Sequence, residues 1–171
     1  RKNINTVLEK KGKISGRLRT LKTKYLIGDK LLETKHKENN CQMKLNIETC
    51  YFSPRLSEER KEVAEQINKK DQVLVMFSGV APFPVIINKL ARPKKIIAIE
   101  LSKQCNKYAE ENIKLNKLNN IELLQGDVKK VVKKGGLIVK GNLVPLQFDK
   151  IIMPRPNLKE TFLREAFSVS K

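Results

Sequence analysis

The chain predicts an α/β fold built on a parallel sheet, and three observations carry that prediction. An apolar run, Val73 to Phe77, breaks into the turn Ser78-Gly79-Val80-Ala81. A helical pattern follows Pro82, and a second apolar run, Ile96 to Ile99, ends at Glu100. Strand, turn, helix and strand in 72–101 fit one right-handed βαβ crossover, with its two strands parallel and adjacent. In such sheets ligands bind outside the carboxyl ends of the strands. Those ends carry Phe77, Ser78, Gly79 and Glu100. The turn admits close backbone approach, and a carboxylate at Glu100 can accept two hydrogen bonds from a ribose diol. A nucleoside-containing cofactor is the first expectation. The competing reading is a βαβ unit without a ligand, in which Glu100 merely ends a strand.

Residues 1–50 read as a small, strand-rich unit. The alternating stretch Lys22–Ile27, the Gly28-Asp29 turn and the segment Leu31–Lys35 form a hairpin signal, and Asn39-Asn40 marks a turn into Gln42–Ile47. A piece this short and polar is marginal alone, so it is expected to pack on the larger domain, residues 51–171. Tyr51–Leu56 reads as a loop because Pro54 holds Ser53 extended. Ser57 is the expected cap of a helix that carries Glu58 and Glu59 in its first turn, where the helix dipole favours acids.

Beyond Glu100, Ser102 is the cap expected for a helix over Lys103–Leu115. Ile121–Leu124 forms a third strand ending at Gly126-Asp127, and Val128–Lys134 a basic helical turn. Gly135–Asn142 reads as a small hairpin excursion and Phe148–Met153 as the fourth strand. The Pro154-Arg155-Pro156 loop and a last helix to about Val169 follow. Phe77/Gly79, Glu100, Asp127 and the loop after the fourth strand are expected to converge on one sheet edge.

The 171 residues suit one domain with a small appendage, and 40% hydrophobic content supports a sizeable core. The formal net charge is +18, and residues 1–50 hold thirteen Lys/Arg against five Asp/Glu. A field of that sign concentrates polyanions, which favours nucleic acid as the partner; solubilisation by lysine is the plainer alternative. Cys41, Cys50, Cys105 and His36 lack metal-ligand spacing, so no metal is expected and the thiols read as reduced, in a cytoplasmic protein. No apolar run reaches the ~18 residues of a membrane-spanning helix, and the charged N-terminus lacks the apolar core of a signal peptide. Beginning at Arg1 rather than Met, the chain reads as a fragment.

The blocks TVLEKKGKISGRLRT, ETKHKENNC, YFSPRLSEER, MFSGVAPF, ENIKLNKLNN, QGDV and IIMPRPNLKETFL carry a resemblance over nearly the whole chain. They resemble the archaeal and eukaryotic tRNA (guanine-N1)-methyltransferases, which modify the guanosine 3′ of the anticodon. YFSPRLSEER followed by MFSGVAPF is specific in a way that a lone glycine turn is not. The resemblance implies a Rossmann-like class I methyltransferase sheet, S-adenosyl-L-methionine as cofactor and tRNA as partner. It places Arg60, Phe77, Gly79, Glu100, Leu101, Asp127, Val128 and Pro154 at the cofactor. Glu100 and Leu101 are implied at the ribose and adenine, and Asp127 and Val128 at the adenine edge. Tyr51 and Pro156 are implied to sandwich the target guanine, with Arg55 on the same side. Glu59 matches the general base for N1, and Arg19 the cation that stabilises charge on O6. Removing the N1 proton builds charge on O6, so a carboxylate near one atom and a guanidinium near the other answer both needs. On their own, Glu59 reads as a first-turn helix acid and Arg19 as a surface cation.

Three departures from the family pattern stand out. Val75 replaces an acidic residue in the first strand, and Ala81 replaces a further glycine in the turn. Pro154 replaces the asparagine of an Asn-x-Pro motif, and proline offers neither a side-chain polar atom nor a backbone N–H. The family sheet is also larger than the four strands read here, and its tRNA-gripping N-terminal domain has no counterpart. The chain is therefore expected to be a C-terminally truncated catalytic fragment that can self-associate through an exposed sheet edge. Two alternatives to methyl transfer remain: a noncatalytic, truncated RNA-binding module, and aminocarboxypropyl transfer in wybutosine synthesis.

Overall fold

The computed structural model describes residues 4–154 and 160–171. Its centre is a four-stranded parallel sheet of β5 (Gln72–Met76), β6 (Lys95–Glu100), β7 (Ile121–Gln125) and β11 (Lys150–Ile152), in the order β11-β5-β6-β7. Val73 lies beside Ile96 and Met76 beside Ile99, as the βαβ reading requires. Alternate residues of β5 and β6 enter two separate cores, so both strands are continuously apolar. Val73, Val75, Ile96 and Ala98 face α1 (Ser57–Glu65) and α2 (Pro82–Ala91). Leu74, Met76, Ile97 and Ile99 face the other side, with α4 (Val128–Val131), Leu137, Phe148 and Phe162.

α3 (Lys103–Leu115) begins as expected: the Ser102 hydroxyl accepts the Cys105 N–H at 3.2 Å. The excursion after α4 is a three-stranded antiparallel sheet of β8 (Val132–Lys133), β9 (Gly136–Val139) and β10 (Asn142–Pro145). The last helix, α5 (Leu163–Phe167), is shorter than the sequence suggests. Among the described residues, no helix is long and apolar enough to cross a membrane.

The first fifty residues form two hairpins, with different pairing from the one anticipated. β1 (Thr6–Ser15) pairs with β2 (Thr20–Gly28), and β3 (Glu33–Glu38) with β4 (Cys41–Asn46). Lys22–Ile27 thus pairs backward with β1, and Gly28-Asp29 joins two hairpins instead of closing one. β1 is masked in the sequence because it is mostly exposed and its pairing is interrupted near Gly12, which sits at φ +75°. The Ser57 cap also differs. A 3-10 turn, Pro54–Leu56, runs directly into α1, so Leu56 holds the cap position and Ser57 is already helical.

The β3–β4 hairpin docks through the side chains of α3. The Asn112 amide accepts the Lys44 N–H at 2.7 Å and donates to the Lys44 carbonyl at 3.0 Å. One turn later, Asn116 accepts the Gln42 N–H at 2.9 Å and donates to the Gln42 carbonyl at 2.6 Å. Two asparagines at i and i+4 share one helix face and meet alternate residues of one strand edge. They satisfy β4 as a neighbouring strand would.

Candidate cofactor and nucleotide site

The site grows from the carboxyl end of β5. Phe77 turns the chain with φ +58°, a left-handed conformation that costs a bulky residue on the order of 1 kcal/mol. Its ring packs edge-on against Phe162, with centroids 4.8 Å apart. The Ser78 N–H donates to the Ile99 carbonyl at 3.0 Å, which holds the turn against β6. Gly79, at φ +57°, donates its N–H to Glu100 Oε2 at 2.8 Å. Glu100 Oε1 accepts the Ser102 N–H at 2.7 Å. The carboxylate is thus fixed by two backbone donors and keeps lone pairs for a ligand diol. Ala81 sits at φ +65°, a left-handed conformation that favours glycine.

Two adjoining cavities meet here. The first is lined by Arg19, Tyr51, Arg60, Phe77, Gly79, Glu100, Leu101 and Pro154, together with Arg17, Ser78 and Cys105. The second is lined by Phe77, Leu101, Asp127 and Val128, with Arg17, Lys129 and Phe162. Their volumes are about 90 and 480 Å³, so a nucleoside cofactor would have to span both, with Phe77 and Leu101 on the shared wall. The buried Ser78 Oγ has no protein hydrogen-bond partner among the described residues, and its residue lines the first cavity. Together with the preset Glu100 carboxylate, an acceptor, and the glycine turn, it gives a polar set suited to a nucleoside with a polar tail.

Asp127 caps α4 by accepting the Lys129 N–H at 3.0 Å and is paired with the Arg17 guanidinium. That guanidinium holds its carboxyl below the usual aspartate value. Arg17 comes from the β1–β2 turn, so the hairpin tip reaches over the cavity that Asp127 lines.

Arg60 is 1% exposed and gives both nitrogens of a bidentate pair to Glu38, at 2.5 and 2.6 Å. It also donates to the Ser53 carbonyl at 3.2 Å and lies beside the Phe52 and Phe83 rings. Arg60 therefore contributes to the cavity as a fixed wall. Arg19 lies over the Tyr51 ring, 4.1 Å from its centroid. Glu59 and Arg55 are exposed and line neither cavity. Pro156 lies outside the described residues. Among the described residues, no group of three or more His, Cys, Asp or Glu side chains is placed to hold a metal ion.

Sequence reasoning placed Ser78 in the turn at the strand end but gave it no role, and it missed Arg17 and Glu38. Neither of those two could have been found, because each acts only through a long-range partner.

Residues 34–171 match the TRM5/TYW2 methyltransferase domain. The chain is 36% identical to tRNA (guanine(37)-N(1))-methyltransferase Trm5b of Pyrococcus abyssi, over 98% of this chain and 46% of that protein. It is 35% identical to tRNA(Phe) (4-demethylwyosine(37)-C(7)) aminocarboxypropyltransferase of Methanocaldococcus jannaschii, over 92% of this chain and 59% of that protein. The structure of aTrm5 in complex with tRNALeu superposes with a TM-score of 0.83 at 30% identity, covering 98% of this chain and 46% of that one. M. jannaschii TYW2 in complex with AdoMet superposes with a TM-score of 0.73 at 33% identity, covering 87% and 63%. The chain thus spans about half the length of the curated relatives it matches. On the domain match and these identities, the chain belongs to the TRM5/TYW2 methyltransferase family.

Proposed function

We propose that this chain binds S-adenosyl-L-methionine across the two cavities and carries the residues for methyl transfer to N1 of the tRNA guanosine 3′ of the anticodon. The observation that carries the reading is Glu100, whose carboxylate is preset by Gly79 and Ser102 at the strand end where a ribose would lie. Leu101, Phe77 and Pro154 would wall the nucleoside, Gly79 would let it approach, and Asp127 and Val128 would take the adenine edge. Arg60 would support that wall through Glu38. The cofactor supplies an electrophilic methyl group.

The chain's own residues then face the guanine. Tyr51 and Pro156 are assigned to stack it, Arg55 to flank it, Glu59 to accept the N1 proton and Arg19 to meet the charge that builds on O6. Arg19 already stands at the Tyr51 ring, which supports a shared role for the two. Glu59 lies on the first turn of α1, one residue from the fixed Arg60, so α1 sets its approach. Residues 1–50 are assigned to tRNA recognition and 51–171 to cofactor binding and catalysis. The strong positive charge fits a tRNA partner, and the protein is assigned to the cytoplasm. The edge strand β11 is a candidate surface for self-association.

Calorimetric titration with S-adenosylhomocysteine tests the reading. The intact chain should bind saturably, and Glu100→Ala should weaken binding by about tenfold or more, the worth of a charge-assisted hydrogen bond. Glu100→Gln retains one acceptor and should fall between. No binding by the folded chain would remove the enzyme reading and leave a noncatalytic RNA-binding module.

A further inference from the structure

Cys50 and Cys105 come from opposite sides of the site. Cys50 immediately precedes Tyr51, and Cys105 lies in the first turn of α3, just past Glu100 and Leu101. Their Sγ atoms are 2.9 Å apart, inside the ordinary non-bonded contact of two sulfurs, and both residues are buried. The Cys105 S–H donates to Cys50 Sγ and also reaches the Thr49 carbonyl at 3.8 Å. Two thiols already in register across elements 55 positions apart need little movement to join.

We propose that Cys50 and Cys105 form a redox-active pair that closes to a disulfide on exposure to a peroxide. Hydrogen bonding from Cys105 pulls the Cys50 thiol below its usual value, while the same bond and burial push Cys105 up. Cys50 is therefore the attacking sulfur. Its thiolate attacks one peroxide oxygen: the S–O bond forms, the O–O bond breaks, and the departing oxygen leaves as water after taking a proton. The Cys105 sulfur then attacks the Cys50 sulfenic acid. The S–S bond forms, the S–O bond breaks, and hydroxide leaves with the Cys105 proton as a second water. Two thiols are oxidised and one peroxide is reduced to two waters. The peroxide has a path to Cys50, which lines a third cavity with Leu45, Ile47, Tyr51 and Phe52, while Cys105 lines the first. Cys41 stands apart from this pair: it is buried among Met43, Ala64 and Ile67, and burial raises its pKa.

The test is a non-reducing peptide map of the folded chain after hydrogen peroxide, with free thiols alkylated under denaturing conditions. The expected result is one cross-linked species, Cys50 to Cys105, with the mass of two hydrogens lost, Cys41 recovered as an alkylated thiol, and the bond reversed by dithiothreitol. The same chain oxidised in urea should scramble among all three pairings, which ties the selectivity to the fold. A Cys41→Ser variant should give the same cross-link, and Cys105→Ala should leave Cys50 as a sulfenic acid that dimedone traps. Recovery of Cys50 and Cys105 from the folded chain as separate thiols or sulfinic acids, or joined to Cys41, would overturn the proposal.

Discussion

The Arg17 guanidinium pairs with the Asp127 carboxylate across 110 positions of sequence, which pins the tip of the β1–β2 hairpin to the carboxyl end of β7. A second carboxylate holds the same hairpin from its other side. Glu48 Oε1 accepts the Thr23 N–H at 2.7 Å and the Thr23 hydroxyl at 2.6 Å. Both tethers are therefore strongest while their carboxyls are ionised.

Acid should release this hairpin before the sheet unfolds. The Thr23 hydroxyl and amide hold Glu48 below its ordinary value of 4.5, and Arg17 holds Asp127 below 3.8. A carboxyl depressed in the folded state stabilises fully above its unfolded value, and that contribution is lost as pH falls through the folded value. The window lies below about pH 4.5, with Glu48 starting at the higher unfolded value. Hydrogen exchange at stepped pH should show β1 and β2 amides losing protection while those of β5 and β6 keep it. Simultaneous loss in both regions would sink the idea. Glu48→Gln should retain one acceptor, remove the Glu48 part of the pH dependence and leave the Asp127 part.

Arg19 makes a separable kinetic prediction. It lies 4.1 Å over the Tyr51 ring and combines charge with a forked, planar set of donors, and lysine supplies only the first. If Arg19 meets charge on O6 in the transition state, Arg19→Ala should lower kcat by about 10²–10³-fold with a smaller change in KM, as for a lost oxyanion donor. Arg19→Lys should recover part of that loss. Equal loss in KM with kcat unchanged would reassign Arg19 to binding tRNA. The assay is methylation of tRNA containing the target guanosine, by a chain that binds S-adenosylhomocysteine.

What was legible in the sequence follows from where each signal originates. β5, α2, β6 and α3 were readable because their patterns are local: apolar runs, Pro82 at a helix start, Ser102 at a cap. The gathering of Phe77, Ser78, Gly79 and Glu100 followed from the crossover itself. β1 was not readable, since its mostly exposed face of lysine and glutamate carries little apolar alternation, and only pairing with β2 makes it a strand. The fixed state of Arg60 was hidden for another reason. A cation in the sequence looks the same whether it meets a ligand or a buried Glu38, and only tertiary contact separates the two. Arg17 failed in the same way, being recognisable only once Asp127 is beside it.

The Glu38–Arg60 pair should be costly to break singly. Arg60 is 1% exposed, and both oxygens of Glu38 accept from it. His36 also meets Glu38, Nε2 to Oε2 at 3.0 Å. Removing one partner strands a buried charge, at about 3–5 kcal/mol. Arg60→Met or Glu38→Leu alone should therefore lower Tm by roughly 10 °C for a chain of this size. Combining the two should restore most of the loss, because no unpaired charge remains. Additive losses in the double variant, measured by thermal melting, would show that packing against Phe52 and Phe83 dominates instead.

Asn112 and Asn116 explain why ENIKLNKLNN is informative, and they allow a sharp test of how the hairpin unit is attached. Asn112 is fully buried and serves three backbone groups: the Lys44 N–H and carbonyl, and the Val80 carbonyl at 3.0 Å. It therefore couples β4 to the turn that presents Gly79. Asn112→Ala leaves buried backbone groups unpaired at about 1–3 kcal/mol each, whereas Asn116→Ala affects a partly exposed pair and should cost less. Asn112→Asp keeps the acceptor for the Lys44 N–H but loses both donated bonds and places a charge against two carbonyls, so it should be no better than alanine. Urea unfolding should rank the variants Asn116→Ala above Asn112→Ala, with Asn112→Asp at or below it. Hydrogen exchange in Asn112→Ala should rise first at Lys44, whose N–H loses its acceptor, and less at Gln42, which Asn116 still holds. If exchange there matched the parent chain while overall stability fell, β4 would be held by its apolar contacts through Met43 and Leu45, and the amide ladder would be secondary.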